Sequence, residues 1–237
     1  MKAMILAAGL GTRFKPWTDK HPKALALVNG KTLLQRNVAY LQQFGISELI
    51  VNVHHFADQV IEIIDLNMGW GSQISISDET MEILETGGGL KKAAGFFGKD
   101  PFVLLNVDVL TDLDLGVMIS QHLLRHPLAT LAVMDRESSR YFLFDGDNTL
   151  CGWRDTRTGR EKIAKPRSPM FHKAFSGIHI IEPDIFSLIQ MEGKFSMIDL
   201  YLDLASTQPI EGFDQGQAKW VDVGKPGSVA LAEALFS

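Results

Sequence analysis

Three groups of residues in this sequence could act on phosphate. The first is a glycine-rich turn, Ala7-Ala8-Gly9-Leu10-Gly11-Thr12-Arg13, directly after the apolar run MILAA at 4–8. Glycines there let backbone amides approach a ligand and face its phosphate oxygens, and Arg13 adds a planar cationic fork. The second is Pro22-Lys23, a further cation after a proline-restricted turn. The third is a pair of carboxylates, Asp108 after FVLLNV and Asp222 within WVDVG, each at the end of a strand-like run. Mg²⁺ takes only one or two protein carboxylates and fills its octahedron with substrate phosphates and water. Two strand-end aspartates in one crevice would suit it. Taken singly, these residues also read as turn glycines, a solvated lysine and capping or turn aspartates, and residue type alone leaves both readings open.

Other chemistry has less support. Phe14 stands where a dinucleotide fingerprint needs its third glycine, and no G-x-x-x-x-G-K-[ST] occurs. Neither a Rossmann dehydrogenase nor a P-loop NTPase is favoured. His54 and His55 are neighbours in a strand-like run, so they point to opposite faces and do not chelate one ion. Cys151 is the single cysteine and has no local Ser/His/Asp arrangement, which argues against both an internal disulfide and covalent catalysis. The run Glu85-Thr86-Gly87-Gly88-Gly89-Leu90 precedes a helix-like stretch. It reads as a loop contacting a base or ribose, or as a flexible helix entry.

Elements that position these residues follow from periodicity. Short apolar runs at 4–8, 49–53, 74–77 and 102–107 read as strands, and amphipathic stretches at 31–44, 57–67, 88–96 and 114–126 as helices. That alternation predicts an α/β fold, a Rossmann-like, mainly parallel sheet flanked by helices. Right-handed crossovers then bring the loops after each strand to one edge, where such sheets bind ligands. After Asp135 the pattern changes: YFLF at 141–144, the turn-like DGDN at 145–148 and LCGWRD at 150–155 predict a β-hairpin insertion near 138–172 within a single domain spanning 1–237. Helices are expected again at 183–190, 196–206 and 226–236, with a strand at 218–223. A net charge of −5 offers no basic footprint for nucleic acid. No apolar run approaches the ~20 residues that cross a bilayer, and MKAMILAA is too short for a signal peptide. The expectation is a cytoplasmic protein without a nucleic-acid or membrane partner.

The segment from Ala7 to Leu25, AAGLGTRFKPWTDKHPKAL, resembles the signature of the sugar-1-phosphate nucleotidyltransferases, a G-x-G-T-R loop followed by a PK pair. The resemblance implies a GT-A-like fold, Mg²⁺ as cofactor, and a nucleoside triphosphate and a sugar 1-phosphate as partners. It implies that Gly9, Gly11, Thr12, Arg13 and Lys23 hold the triphosphate, with Arg13 and Lys23 catalytic. By the same resemblance Asp108 and Asp222 are metal ligands and Asn106 orients substrate. LETGGGL matches the family's LGTAGAL, implying nucleotide contacts from Gly87 and Gly88, with Glu85 in place of the first glycine. AFSGI implies that Gly177 faces the sugar phosphate. AKP resembles the family's EKP, with Ala164 replacing the glutamate, and implies that Lys165 meets the acceptor phosphate. LETGGGL, NVHHFADQV at 52–60 and FSGIHIIEPDIF at 175–186 look most like the N-acetylmuramate-1-phosphate uridylyltransferases of cell-wall recycling, implying UTP as donor. The resemblance extends less closely to guanylyltransferases for mannose or heptose phosphates. A nucleotide-sensing module on the same fold is the non-enzymatic alternative.

Overall fold

The computed structural model describes residues 1–236. In chain order it contains β1 (Ala3–Leu6), the two-residue strands β2 (Leu27–Val28) and β3 (Lys31–Thr32), α1 (Leu33–Gln43), β4 (Glu48–Val53), α2 (Ala57–Leu66), β5 (Gln73–Asp78) and α3 (Glu85–Lys92). Then follow β6 (Phe102–Asn106), β7 (Val109–Thr111), α4 (Leu115–Arg125), β8 (Ala129–Met134), β9 (Arg140–Phe144), β10 (Leu150–Asp155), β11 (Arg160–Ile163) and β12 (Phe171–Ile181). The chain closes with α5 (Ile185–Leu188), α6 (Met197–Leu204), β13 (Ile210–Asp214), β14 (Trp220–Asp222) and α7 (Gly227–Leu235).

The expected α/β architecture is present. β5, β4, β1 and β6 lie side by side in parallel. All four residues of β1 are buried, because helices cover both faces of a parallel sheet. The two-residue period sends Ala3 and Ile5 into one hydrophobic core and Met4 and Leu6 into the other. Beyond β6 the sheet turns antiparallel through β12 and β8, with β13 parallel to β8 at the far edge. The first residues of β12 leave this row to pair with β9, which continues into β10 and β11. One long strand thus belongs to both parts of the sheet.

The strands expected at 141–144 and 150–155 are β9 and β10, paired antiparallel, and a third strand, β11, extends them before the chain enters β12. This third strand, Arg160-Glu161-Lys162-Ile163, is exposed throughout. A charged edge strand of this kind resists pairing with other chains, and it lacks the apolar alternation by which strands are read. Among the described residues no helix is long and apolar enough to cross a membrane.

The register explains where a site must lie. Leu6 at the carboxyl end of β1 pairs with Asn52 of β4 on one side and Asn106 of β6 on the other. The glycine turn therefore emerges between two strand-end asparagines. A separate ribbon of β7 and β14, with Asp222 opposite Val109, brings the chain's end to the same place.

The core also predicts a pH dependence. His179 of β12 is buried, and its Nδ1 lies 2.7 Å from the Tyr201 hydroxyl on α6. Burial pushes the imidazole down from 6.5 to about 3. A histidine with a depressed folded-state pKa contributes fully above its unfolded value, and that contribution is lost as pH falls from there toward the folded value. At pH 5 the loss is about 2 kcal/mol. In the double variant His179→Phe/Tyr201→Phe, the gap between urea-derived stabilities at pH 7.5 and pH 5 should shrink by that amount. A gap equal to the wild type would refute the assignment.

Candidate active site

At the carboxyl edge of β1, β4 and β6 lies a cleft of about 420 Å³. Of the residues expected to meet there, Gly9, Gly11, Thr12, Arg13, Lys23, Asn106 and Asp108 line it, whereas Asp222, Gly87, Gly88, Gly177 and Lys165 do not. Gly11 is required on two counts. Its φ is +60°, and a Cβ there would lie 2.8 Å from Thr18 Cγ2 and 3.2 Å from Lys23 Cβ. The Gly11 carbonyl accepts from the Thr18 hydroxyl at 2.9 Å and from the Phe14 N–H at 2.8 Å. The glycine turn and the segment carrying Lys23 are thereby tied into one unit.

The charged groups form two ion pairs whose carboxylates are neighbours. Lys23, only 9% exposed, donates from Nζ to Asp108 Oδ2. Arg13 Nη2 lies 3.6 Å from Asp222 Oδ2. The backbone joins the two pairs, since Val223 N–H donates to the Asp108 carbonyl at 2.8 Å. Gly224 makes room: a Cβ there would come within 2.5 Å of Asp222 Oδ1 and 2.8 Å of Arg13 Nη2. Asp222 Oδ1 is buried without a hydrogen-bond partner. Burial, and then the neighbouring Asp108 carboxylate, push the Asp222 carboxyl above its ordinary value. An orphaned carboxylate oxygen beside a second carboxylate is a place that favours a cation. Among the described residues no group of three or more His, Cys, Asp or Glu side chains assembles as a metal cage. Mg²⁺ does not need one, and Asp108 and Asp222 are the residues that could hold it.

Asn52 and Glu79 were not singled out in the sequence, yet they organise the floor of the cleft. Asn52 Oδ1 accepts from the Ala7 N–H at 2.7 Å, and its Nδ2 donates to Glu79 Oε1 at 2.7 Å. Glu79 Oε2 in turn accepts from the Leu84 N–H at 3.2 Å. This chain fixes the start of the glycine turn relative to the opposite wall, where Glu85 and Thr86 line the cleft. The available signal was an asparagine inside the apolar run LIVNV: a polar side chain in a strand buried on both faces needs partners.

Gly87 and Gly88 differ from expectation. The helix expected from 88 begins already at Glu85, so Gly87 as well as Gly88 lies within α3, and both N–H groups donate to the Phe195 carbonyl, at 2.9 and 3.2 Å. A Cβ at Gly87 would sit 2.5 Å from the Phe195 ring, and one at Gly88 would sit 2.3 Å from the Gly193 carbonyl oxygen. Here glycine permits a close approach of helix to loop. Gly88→Ala should therefore destabilise the fold by about 1–3 kcal/mol through overpacking. Gly95→Ala, with nothing within 4 Å of the added methyl, is the control; equal urea midpoints for the two variants would contradict this packing role.

Gly177 lies at φ +80° in β12, where the register with β8 shifts between Phe175 and His179. A Cβ there would lie 2.9 Å from Asn106 Nδ2 and 2.8 Å from Val109 Cγ2. Gly177 thus backs Asn106, which itself faces the cleft. Lys165 follows β11, with its N–H donating to the Cys151 carbonyl at 3.0 Å. It is not among the residues lining the cleft.

The sequence matches the nucleotidyl transferase family over residues 2–235. It is 33% identical to an N-acetylmuramate alpha-1-phosphate uridylyltransferase of Caulobacter vibrioides, across 99% of this chain and 96% of that one. It is 29% identical to a mannose-1-phosphate guanyltransferase of Yarrowia lipolytica, across 100% of this chain and 64% of that one. Among solved structures, HddC from Yersinia pseudotuberculosis complexed with GMP-PN aligns with a TM-score of 0.79 at 24% identity, covering 100% of this chain and 99% of that one. That likeness is one of fold, the GT-A-like arrangement. With the family match running through both the glycine turn and the strand of Asp222, the chain belongs to the nucleotidyl transferase family and is a sugar-1-phosphate nucleotidyltransferase.

Proposed function

We propose that the protein transfers the uridylyl group of UTP to N-acetylmuramate 1-phosphate, giving the UDP-sugar and pyrophosphate. The observation that supports the reaction is the pair of neighbouring carboxylates, Asp108 and Asp222, each matched by a cation, Lys23 and Arg13, beside the glycine turn. The choice of donor and acceptor rests on the near full-length similarity to the Caulobacter uridylyltransferase.

In the reaction, an oxygen of the acceptor phosphate forms a bond to the α-phosphorus of the donor. The bond from that phosphorus to the bridging oxygen breaks, and pyrophosphate leaves with the electron pair. The nucleophile is already an anion, so the protein needs no general base to create it. Its task is to bring two repelling anions into line. Amides of the Gly9–Thr12 turn and the Arg13 fork receive the triphosphate, and Lys23 meets negative charge at the transferring centre. Asp108 and Asp222 would hold Mg²⁺, which would supply positive charge against the triphosphate. Cys151 is buried in β10 and takes no part. Asn106, steadied from behind by Gly177, orients the acceptor; a role for Lys165 on the acceptor's phosphate would require the segment after β11 to approach the cleft.

A matrix of four nucleoside triphosphates against several sugar 1-phosphates, read by pyrophosphate release in Mg²⁺, tests this. The greatest turnover is expected with UTP and N-acetylmuramate 1-phosphate. Preference for GTP with mannose 1-phosphate would instead support the reading suggested by similarity to the Yarrowia guanyltransferase. Tight nucleotide binding with no pyrophosphate from any pair would overturn the assignment.

A further inference from the structure

We propose that Arg136 is a positioning residue of this active site: by seating its guanidinium on Trp220, it fixes the strand that carries Asp222. The inference rests on the reading of Asp222 as a metal ligand. Arg136 follows β8, and its Cζ lies 4.0 Å from the centre of the Trp220 ring. Its Nη2 donates to the Phe175 carbonyl at 2.9 Å. The Trp220 indole N–H donates to the carbonyl of the next residue, Ser176, at 2.9 Å. The tryptophan is thus gripped from two directions. A cation covers its face, and the β12 irregularity around Gly177 holds its edge.

Trp220 opens β14, and Asp222 closes it two residues later. β14 has a single strand partner, β7, over three residue pairs; Val221 and Val223 seat it in the core, and the Trp220 indole N–H is its hydrogen bond to β12. The irregularity that holds Trp220 also backs Asn106. The clamp therefore joins one cleft-lining residue, Asn106, to the strand bearing the second carboxylate.

The arrangement is not one that stability alone would select. Arg136 Nε and Ser176 Oγ are both buried without hydrogen-bond partners, and an unsatisfied buried donor is costly. Burial also lowers the guanidinium's pKa from its ordinary value. A methionine would fill the same space without that cost. What it would lose is the hydrogen bond to the Phe175 carbonyl and the directional hold on the indole face, which a cation supplies through the ring quadrupole.

The test compares Arg136→Met, Arg136→Lys and Asp222→Asn in the full chain. For Arg136→Met, kcat should fall roughly 10- to 100-fold, with KM for the nucleoside triphosphate within about twofold of wild type, the pattern of a displaced catalytic group. Mn²⁺ affinity should weaken in parallel, measured by the EPR signal of free Mn²⁺ in the presence of a non-hydrolysable UTP analogue. Arg136→Lys keeps a cation over the ring and should recover most of both. Wild-type kcat in Arg136→Met, a loss confined to KM, or unchanged Mn²⁺ affinity would overturn the inference. Asp222→Asn separates the two failures: if it is inactive while Arg136→Met is normal, only the clamp is wrong, and if it retains turnover, the metal reading fails and the clamp with it. Should Arg136→Met not fold, Trp220→Phe keeps an aromatic face and removes the indole N–H. A kcat loss with unchanged KM would then support the clamp, and wild-type kcat would refute it.

Discussion

Asp108→Asn and Asp222→Asn should each lower pyrophosphate release on the order of 10³-fold, because a neutral amide cannot replace a carboxylate in holding a divalent cation. Asparagine has nearly the same shape, so the cleft keeps its form. The two variants should nevertheless move stability in opposite directions. Asp108 neutralises the buried ammonium of Lys23, and its loss leaves that charge without a counter-ion, which destabilises the fold. Asp222 is the reverse case. Its carboxyl is raised by burial and by Asp108, so the folded state disfavours its charged form. For a carboxyl with a raised folded-state pKa, stability falls as pH climbs from the unfolded value through the folded one. At neutral pH the neutral Asp222→Asn should therefore be at least as stable as the wild type. Urea unfolding beside the turnover assay reads both effects. Full activity in either variant would remove that residue from the metal site, and equal destabilisation of both would show that Asp222 carries no such strain.

Lys23→Met should cost on the order of 10²- to 10³-fold in turnover, the range seen when one preorganised group facing developing charge is removed. The methionine keeps the apolar stem that packs beneath Gly11 and removes only the ammonium. The loss should fall on kcat in single-turnover experiments, because Arg13 and the turn amides still hold the triphosphate. Wild-type single-turnover rates, or a change in nucleotide affinity alone, would confine Lys23 to holding Asp108 in place.

The sequence made the glycine turn and the charged groups beside it, the proposed phosphate-binding half of the site, legible because each of their signals is local. A glycine turn after an apolar run, a proline before a lysine and an aspartate at a strand's end are all visible within a few residues. Their meeting follows from one rule, that loops after parallel strands share an edge. What stayed hidden depends on register. Asn52 and Glu79 are 27 residues apart in sequence, and nothing local shows that one satisfies the other. Arg136 and Trp220 lie farther apart still, and although Trp220 opens the WVDVG run, nothing local ties it to Arg136. Gly87 and Gly88 show another limit: a glycine that exposes its amide to a ligand and one that admits a neighbouring carbonyl are written with the same letter. Only the position of Phe195 and Gly193 tells them apart. β11 escaped for a related reason, since charges that protect an edge also erase the pattern of a strand.

The ribbon of β7 and β14 has a consequence for when this protein becomes active. Asp222 follows every strand of the ten-stranded sheet in the chain. During synthesis Lys23 and Asp108 are therefore translated long before the second carboxylate exists. A chain interrupted before Trp220 would hold every strand of the large sheet and yet lack Val221, Val223 and Ala232 of the core, together with Asp222, the second of the proposed metal ligands.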